Sequence, residues 1–165
     1  MQHVQPRSTT SALVLTAVLI ALATLFTMYT KIPVPGIRGY FNVGDVVIMT
    51  SALLLGRKYG AYIGAIGPAL ADLFLGYAVF VPITFVVKGI EGYLVGTVYN
   101  NKTTISALVA TIVGGIVIVA GYFIAEYFVF DPGVAIASIL TNTIQAVMSV
   151  IISMILYAIL RKRLG

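Results

Sequence analysis

The apolar positions of the chain fall into six runs separated by short polar punctuation: residues 11–29, 43–56, 59–78, 81–99, 104–130 and 133–160. About 20 apolar residues in a helix cross the hydrocarbon core of a bilayer. The pattern therefore predicts an all-α integral membrane protein, one domain over residues 1–165 with six transmembrane helices. The second run is short for a span and is expected to tilt or to borrow part of the preceding loop. The fifth and sixth are long enough to tilt or protrude. Gly67-Pro68 marks an expected kink in the third run. The first run is expected to be a span, not a cleaved signal peptide. It is long, and KIPVPGIRGYFN follows it in place of a small-residue cleavage site.

Composition agrees with the pattern. The chain is 60% hydrophobic and only 9% charged, with mean hydropathy +1.06, whereas soluble domains carry about 25% charged residues. With no cysteine, neither a disulfide nor a thiolate metal site can form. The single histidine, His3, lies in the N-terminal tail, which argues against a His-based metal site or triad. No cofactor is expected. The net charge of +5 is carried by isolated basic residues at run ends, a topology signal and not a nucleic-acid surface. Arg7, Arg57, Lys58, Lys102, Arg161, Lys162 and Arg163 fall on the side that holds both termini; the other side has Lys31 and Arg38. The positive-inside rule then puts both termini of this multi-pass cell-membrane protein in the cytoplasm, with loop 30–42 outside.

Against this background, VPITFVVKGIEGYLVG (81–96) is anomalous, because it carries Lys88 and Glu91 inside an apolar run. Ionisable groups at membrane depth are costly and mark functional sites by default. At a rise of 1.5 Å per residue, Lys88 and Glu91 lie roughly 9 and 13 Å from the outer end of their helix. Asp72 is about 9 Å below the outer end of the third run, and Asn142 and Gln145 roughly 13 and 18 Å into the sixth. Asp45 starts the second run and Glu126 lies near the outer end of the fifth. The buried charges thus occupy only the outer half, which suggests a cavity opening outward and not a pore.

Spacing supports one ligand site. Thr84, Lys88 and Glu91 form one helical stripe, and Ser138, Asn142, Gln145 and Ser149 form another. An amide pair beside charged groups offers donors and acceptors to a heteroaromatic ring. Tyr40, Phe41, Tyr77, Tyr93, Tyr122 and Tyr127 could supply stacking faces. The plain alternative is packing: Lys88 could be neutralised by Glu91 or by Asp72, and the amides could be interhelical glue. Small-residue stripes, Gly60/Gly64/Gly67, Gly89/Gly92/Gly96 and Ala17/Ala21, permit close helix approach. The glycines read as internal packing, while Ala17 and Ala21 could form an external docking face. The proline-stiffened loop 30–42 could be a lid or a connector.

At residues 41–96 the sequence resembles the substrate-binding (S) component of energy-coupling-factor (ECF) vitamin transporters. The marks are N-x-G-D at 42–45, A-L-L-L-G ending at Gly56, G-P-A-L-A-D at 67–72 and K-G-I-E-G at 88–92; Ala17-xxx-Ala21 fits the family's docking motif. The resemblance implies a six-helix membrane subunit that binds a vitamin in an outward pocket closed by the first loop. Its partners would be a membrane coupling (T) subunit, docked through Ala17 and Ala21, and two cytoplasmic ATPases. The sequence has no phosphate-binding G-x-x-x-x-G-K-[ST] loop of its own. The K-G-x-E-G subgroup is similar to members for hydroxymethylpyrimidine or pyridoxine; pantothenate and riboflavin are further candidates. Lys88, Glu91, Asn142, Gln145, Asp72, Thr84, Tyr40 and Tyr122 are the candidate ligand contacts. A stand-alone carrier should show related halves or broken helices, and neither is visible. An assembly subunit would not need the outer polar cluster. An enzyme would need a nucleophile motif or metal cluster beside Lys88–Glu91.

Overall fold

The computed structural model describes residues 8–30, 32–33, 40–100 and 103–164, with the side chains of 32, 33, 40, 41, 163 and 164 excluded. Six helices form: α1 (Thr9–Tyr29), α2 (Gly44–Leu55), α3 (Arg57–Phe74), α4 (Phe80–Val98), α5 (Thr104–Val129) and α6 (Pro132–Leu164). A two-residue antiparallel ladder, β1 (Ile32–Pro33) with β2 (Tyr40–Phe41), departs from the purely helical expectation. It ties together the two ends of the first loop, and β2 packs against α6.

Helix starts follow local chemistry. Ser8 Oγ accepts the Ser11 N–H at 3.2 Å at the head of α1, and Thr103 Oγ1 accepts that of Ser106 at 3.0 Å at the head of α5. Asp131 Oδ1 takes the Val134 N–H at 3.0 Å and opens α6. Between α2 and α3 the chain reverses on Gly56 alone, at φ +94°, a backbone region that suits glycine. The expected kink at Gly67–Pro68 does not interrupt α3.

Four helices, α1, α4, α5 and α6, are long and apolar enough to cross a membrane. The expectation of six spans is met only partly. At 12 residues α2 rises about 18 Å, less than the ~30 Å hydrocarbon core. In α3, Arg57, Lys58 and Asp72 interrupt the apolar run. The two differ in role from the spanning helices. Eleven of the 12 residues of α2 are buried, and it touches each of the other helices, so it is the core of the bundle and not a lipid-facing element. Met49 and Leu53 pack with Val95, Ile118 and Tyr157 on one side; Val47 and Ile48 pack with Ala23 and Ile63 on the other. Exposed Leu, Ile, Val and Phe side chains cover α1, α5 and α6, as lipid contact requires.

The tightest crossing is α3 on α4. A Cβ added at Gly92 would sit 2.1 Å from the Gly60 carbonyl oxygen, and one at Gly64 2.1 Å from that of Lys88. Backbone therefore touches backbone, which is the internal-packing role read from the glycine stripes. This contact also fixes the height of Lys88. Gly92→Ala should lower the melting temperature in detergent by the equivalent of about 1–3 kcal/mol, the usual cost of overpacking. Gly89→Ala, whose new Cβ would meet only the Ala65 methyl at 3.2 Å, should cost distinctly less. Equal losses would mean that this crossing is not close-packed.

Candidate substrate-binding cavity

One end of the bundle holds a polar cavity of about 550 Å³ including its open mouth. Its walls come from the C-terminal parts of α1 (Thr27), α3 (Pro68, Asp72) and α5 (Tyr122, Glu126). Asn42 and the N-terminal parts of α4 (Thr84, Lys88) and α6 (Ser138, Asn142, Gln145) complete it. This is the end that carries the β1–β2 loop and the α3–α4 and α5–α6 turns. The buried carboxylates and lysine therefore share one half of the structure, away from the termini.

The floor is a node of three helices. Lys88 Nζ donates to Asp45 Oδ1 at 2.5 Å, and Gln145 Nε2 donates to Asp45 Oδ2 at 2.7 Å. Gln145 Oε1 accepts the Asn42 N–H at 3.1 Å, while Asn42 Oδ1 accepts the Gly44 N–H at 2.8 Å. The N-x-G-D stretch thus has a physical explanation. Asn42 shapes the entry to α2, and Gly44 leaves room for Thr27, whose Oγ1 a Cβ would meet at 2.1 Å. Asp45 joins α2 to α4 and α6. The closest partner of Lys88 is neither Glu91 nor Asp72, as the sequence suggested, but Asp45. The Glu91 carboxylate stands off at 3.7 Å. Lys88 Nζ also lies 5.4 Å from the centre of the Tyr122 ring, in cation–π range.

The upper walls are held by a second set of contacts. Thr84 Oγ1 and the Tyr122 hydroxyl are hydrogen-bonded at 2.9 Å, which fixes that ring between α4 and α5. Ser138 Oγ bonds to Glu126 Oε2, and Asn142 Nδ2 reaches Ser138 Oγ at 3.4 Å, which links α6 to α5.

Of the ligand contacts expected from sequence, Lys88, Asn142, Gln145, Asp72, Thr84 and Tyr122 line the cavity. Glu91 does not. It is fully buried behind Lys88, and no hydrogen bond of the described residues reaches its oxygens. The side chain of Tyr40 and the loop tip at 34–39 lie outside the described residues. Tyr77 lines the cavity, but Tyr93 and Tyr127 are half exposed elsewhere, Tyr93 under Arg57. Sequence reasoning missed Thr27, Phe80 and Thr141 as lining residues. The signal for Thr27 was the run of threonines at 24, 27 and 30, spaced along one face near the outer end of an apolar helix. Glu126 and Ser138 were placed at the right depth but not chosen as contacts. Ala17 and Ala21 are exposed on α1, beside the face that buries Ala23, Thr24 and Thr27.

A polar cavity thus opens at one end of a bundle whose α1, α4, α5 and α6 are long and apolar enough to cross a membrane, and comparison with known proteins gives the chain a family. The family model described as ECF-type riboflavin transporter, S component, matches residues 7–162. The chain belongs to this family of ECF S components, and it is a multi-pass membrane protein. A Pyrococcus woesei protein, described only as an uncharacterised protein in the gap 3′ region, is 41% identical over 143 residues, covering 86% of this chain and 96% of its own. The thiamine precursor transporter HmpT of Lactococcus lactis subsp. cremoris (strain MG1363) is 30% identical over 149 residues, 89% of this chain and 83% of its own. The solved structure of the S component of a bacterial ECF transporter superposes with a TM-score of 0.78 at 21% identity, covering 96% of this chain and 99% of that one. At that identity the likeness concerns the fold.

The floor node predicts a coupled response. Lys88→Met strands the carboxylates of Asp45 and Glu91, at a cost of about 3–5 kcal/mol, and Asp45→Asn costs less because Glu91 remains 3.7 Å from Lys88. The double variant should lose less than the sum of the two in a thermal melt in detergent, while the buried Glu91 keeps it below wild type. Additive losses would show that the two side chains do not act as a pair.

Proposed function

We propose that the protein is the vitamin-binding subunit of an ECF importer and that its substrate is a small heteroaromatic vitamin precursor of the hydroxymethylpyrimidine type. The observation that carries this reading is the cavity itself. It is small, lies at the end assigned to the outside by the Lys/Arg count, and combines one aromatic wall (Tyr77, Phe80, Tyr122) with hydrogen-bonding groups of both kinds. A planar ring with exocyclic donors and a hydroxymethyl arm uses all of these. The relative that transports a thiamine precursor supports the same choice. Pyridoxine, a ring of similar size with hydroxymethyl groups, is the neighbouring candidate within the class. Riboflavin is a second reading, favoured by the name of the matching family model.

Lys88, Gln145, Asp72, Thr84, Asn142 and Tyr122 would contact the substrate, with Glu91 supporting Lys88 from behind. The β1–β2 hairpin packs on α6 beside the cavity and would carry the lid. Delivery to the cytoplasm would depend on a coupling subunit and ATPases. Ala17 and Ala21 are both exposed on α1. That exposed alanine stripe would be the docking surface, because small side chains let a partner helix approach closely.

Mass spectrometry of small molecules released from gently purified protein, followed by titration, tests the substrate. One pyrimidine per chain is expected, and Asn142→Ala should weaken it about tenfold, the loss of one good hydrogen bond. Riboflavin at one per chain would replace this reading with the second. Tryptophan at both Ala17 and Ala21 should leave binding unchanged and abolish uptake in cells that hold the ATPase module; uptake that survives would remove the docking assignment.

A further inference from the structure

The cavity has a charge pattern that the general reading does not use. The chain has five acidic residues, and four of them, Asp45, Asp72, Glu91 and Glu126, are buried around this cavity with Lys88. Among the described residues Lys88 is the only cation that lines it. That ammonium is already engaged by Asp45 at 2.5 Å and backed by Glu91 at 3.7 Å. The floor therefore has no positive charge to spare for a ligand.

Higher up, the ionisable lining residues are both acids, Asp72 on α3 and Glu126 on α5. Glu126 is only 4% exposed, and burying an uncompensated carboxylate is costly. Its Oε2 is held by Ser138, which Asn142 in turn supports at 3.4 Å. The described residues supply no hydrogen bond to its Oε1. Across the cavity, Thr27 Oγ1 is buried and also lacks a partner among the described residues. One carboxylate is thus pinned by one oxygen with the other unused, opposite an unused hydroxyl.

We infer that Glu126 is the specificity-determining residue of this cavity: its Oε1 accepts an N–H from the ligand's exocyclic amine, so that the site selects amino-substituted or cationic heterocycles and rejects anionic vitamins. The inference rests on the reading of the cavity as the substrate site. Ser138 and Asn142 act as positioning residues that hold the carboxylate toward the ring. A ligand amine also compensates the buried carboxylate, so binding of the correct substrate removes a desolvation cost that an analogue with an acceptor at the same place would increase.

The test is calorimetric titration of wild-type protein and Glu126→Gln with four compounds. They are hydroxymethylpyrimidine bearing its amine, the analogue with a carbonyl oxygen in place of that amine, riboflavin and pantothenate. Wild type should bind the amine about 10- to 100-fold more tightly than the oxo analogue, the range of a charge-assisted hydrogen bond, and should not bind pantothenate. Glu126→Gln should lose most of that preference, with little change toward the oxo compound. If the amine binds and Glu126→Gln keeps the full preference, the role of Glu126 is overturned while the ring assignment stands. If wild type ignores both pyrimidines, or binds riboflavin or pantothenate in their place, both the inference and the substrate reading are overturned. Glu126→Asp, which keeps the charge but withdraws it by one methylene, serves if the glutamine variant does not fold. It should weaken the amine several-fold and the oxo analogue hardly at all, and unchanged amine affinity would again overturn the assignment.

Discussion

The buried ion pair between Lys88 and Asp45 is the interaction on which the rest of the outer half depends. Neither charge could be held at membrane depth alone, since an unpaired buried ion costs several kcal/mol. Each is supplied by a different helix, and Gln145 from a third closes the node by donating to the second carboxylate oxygen. To let the three meet, α2 must sit at the centre of the bundle and α4 must press against α3. The first condition explains why α2 is short and almost wholly buried. The second explains why glycine faces glycine where α3 and α4 cross. The charged node and the glycine crossing are therefore one structural solution: close backbone contact places Lys88, and Lys88 anchors the core helix.

What lies above the node follows from it. With Asp45 and Lys88 paired on the floor, Asp72 of α3, Glu126 of α5 and Asn142 of α6 line an open cavity above them, the last two joined through Ser138. The same node explains why the first loop begins and ends at this place. Asn42, the residue that leads into α2, donates its backbone N–H to Gln145 and accepts the Gly44 N–H on its side-chain oxygen. The β1–β2 ladder is thereby attached to the floor of the site through the residue that directly follows β2. A ligand seated on the floor would meet both the Lys88–Asp45 pair and the base of the loop.

Much of this was legible in the sequence, for identifiable reasons. Six apolar runs gave the helices, because the 20-residue scale of the bilayer leaves a strong periodic trace. The depth of the polar residues gave the cavity, because a fixed rise per residue turns position into height. The partner of Lys88 was not legible. Glu91 lies three positions away and dominates any local reading, whereas Asp45 lies 43 positions away and meets Lys88 only through packing. The role of α2 was hidden for a related reason. A hydrophobic run of 12 residues looks the same whether lipid or protein surrounds it, and only the contacts of the folded chain show which. Tyr93 and Tyr77 could not be separated by composition, yet they lie at opposite ends of α3 and α4, one beside Arg57 and one in the cavity.

On the proposed reading, the Lys88–Asp45 pair stays intact under the ligand, which rests on the floor and is held by the walls. The most direct measurement is an experimental structure of the protein with its co-purifying small molecule in place. A single planar ring is expected against Tyr122, between Asp72 on one side and Asn142 with Glu126 on the other, with Lys88 still paired to Asp45. A ligand outside this cavity, or one that has drawn Lys88 away from Asp45, would contradict it.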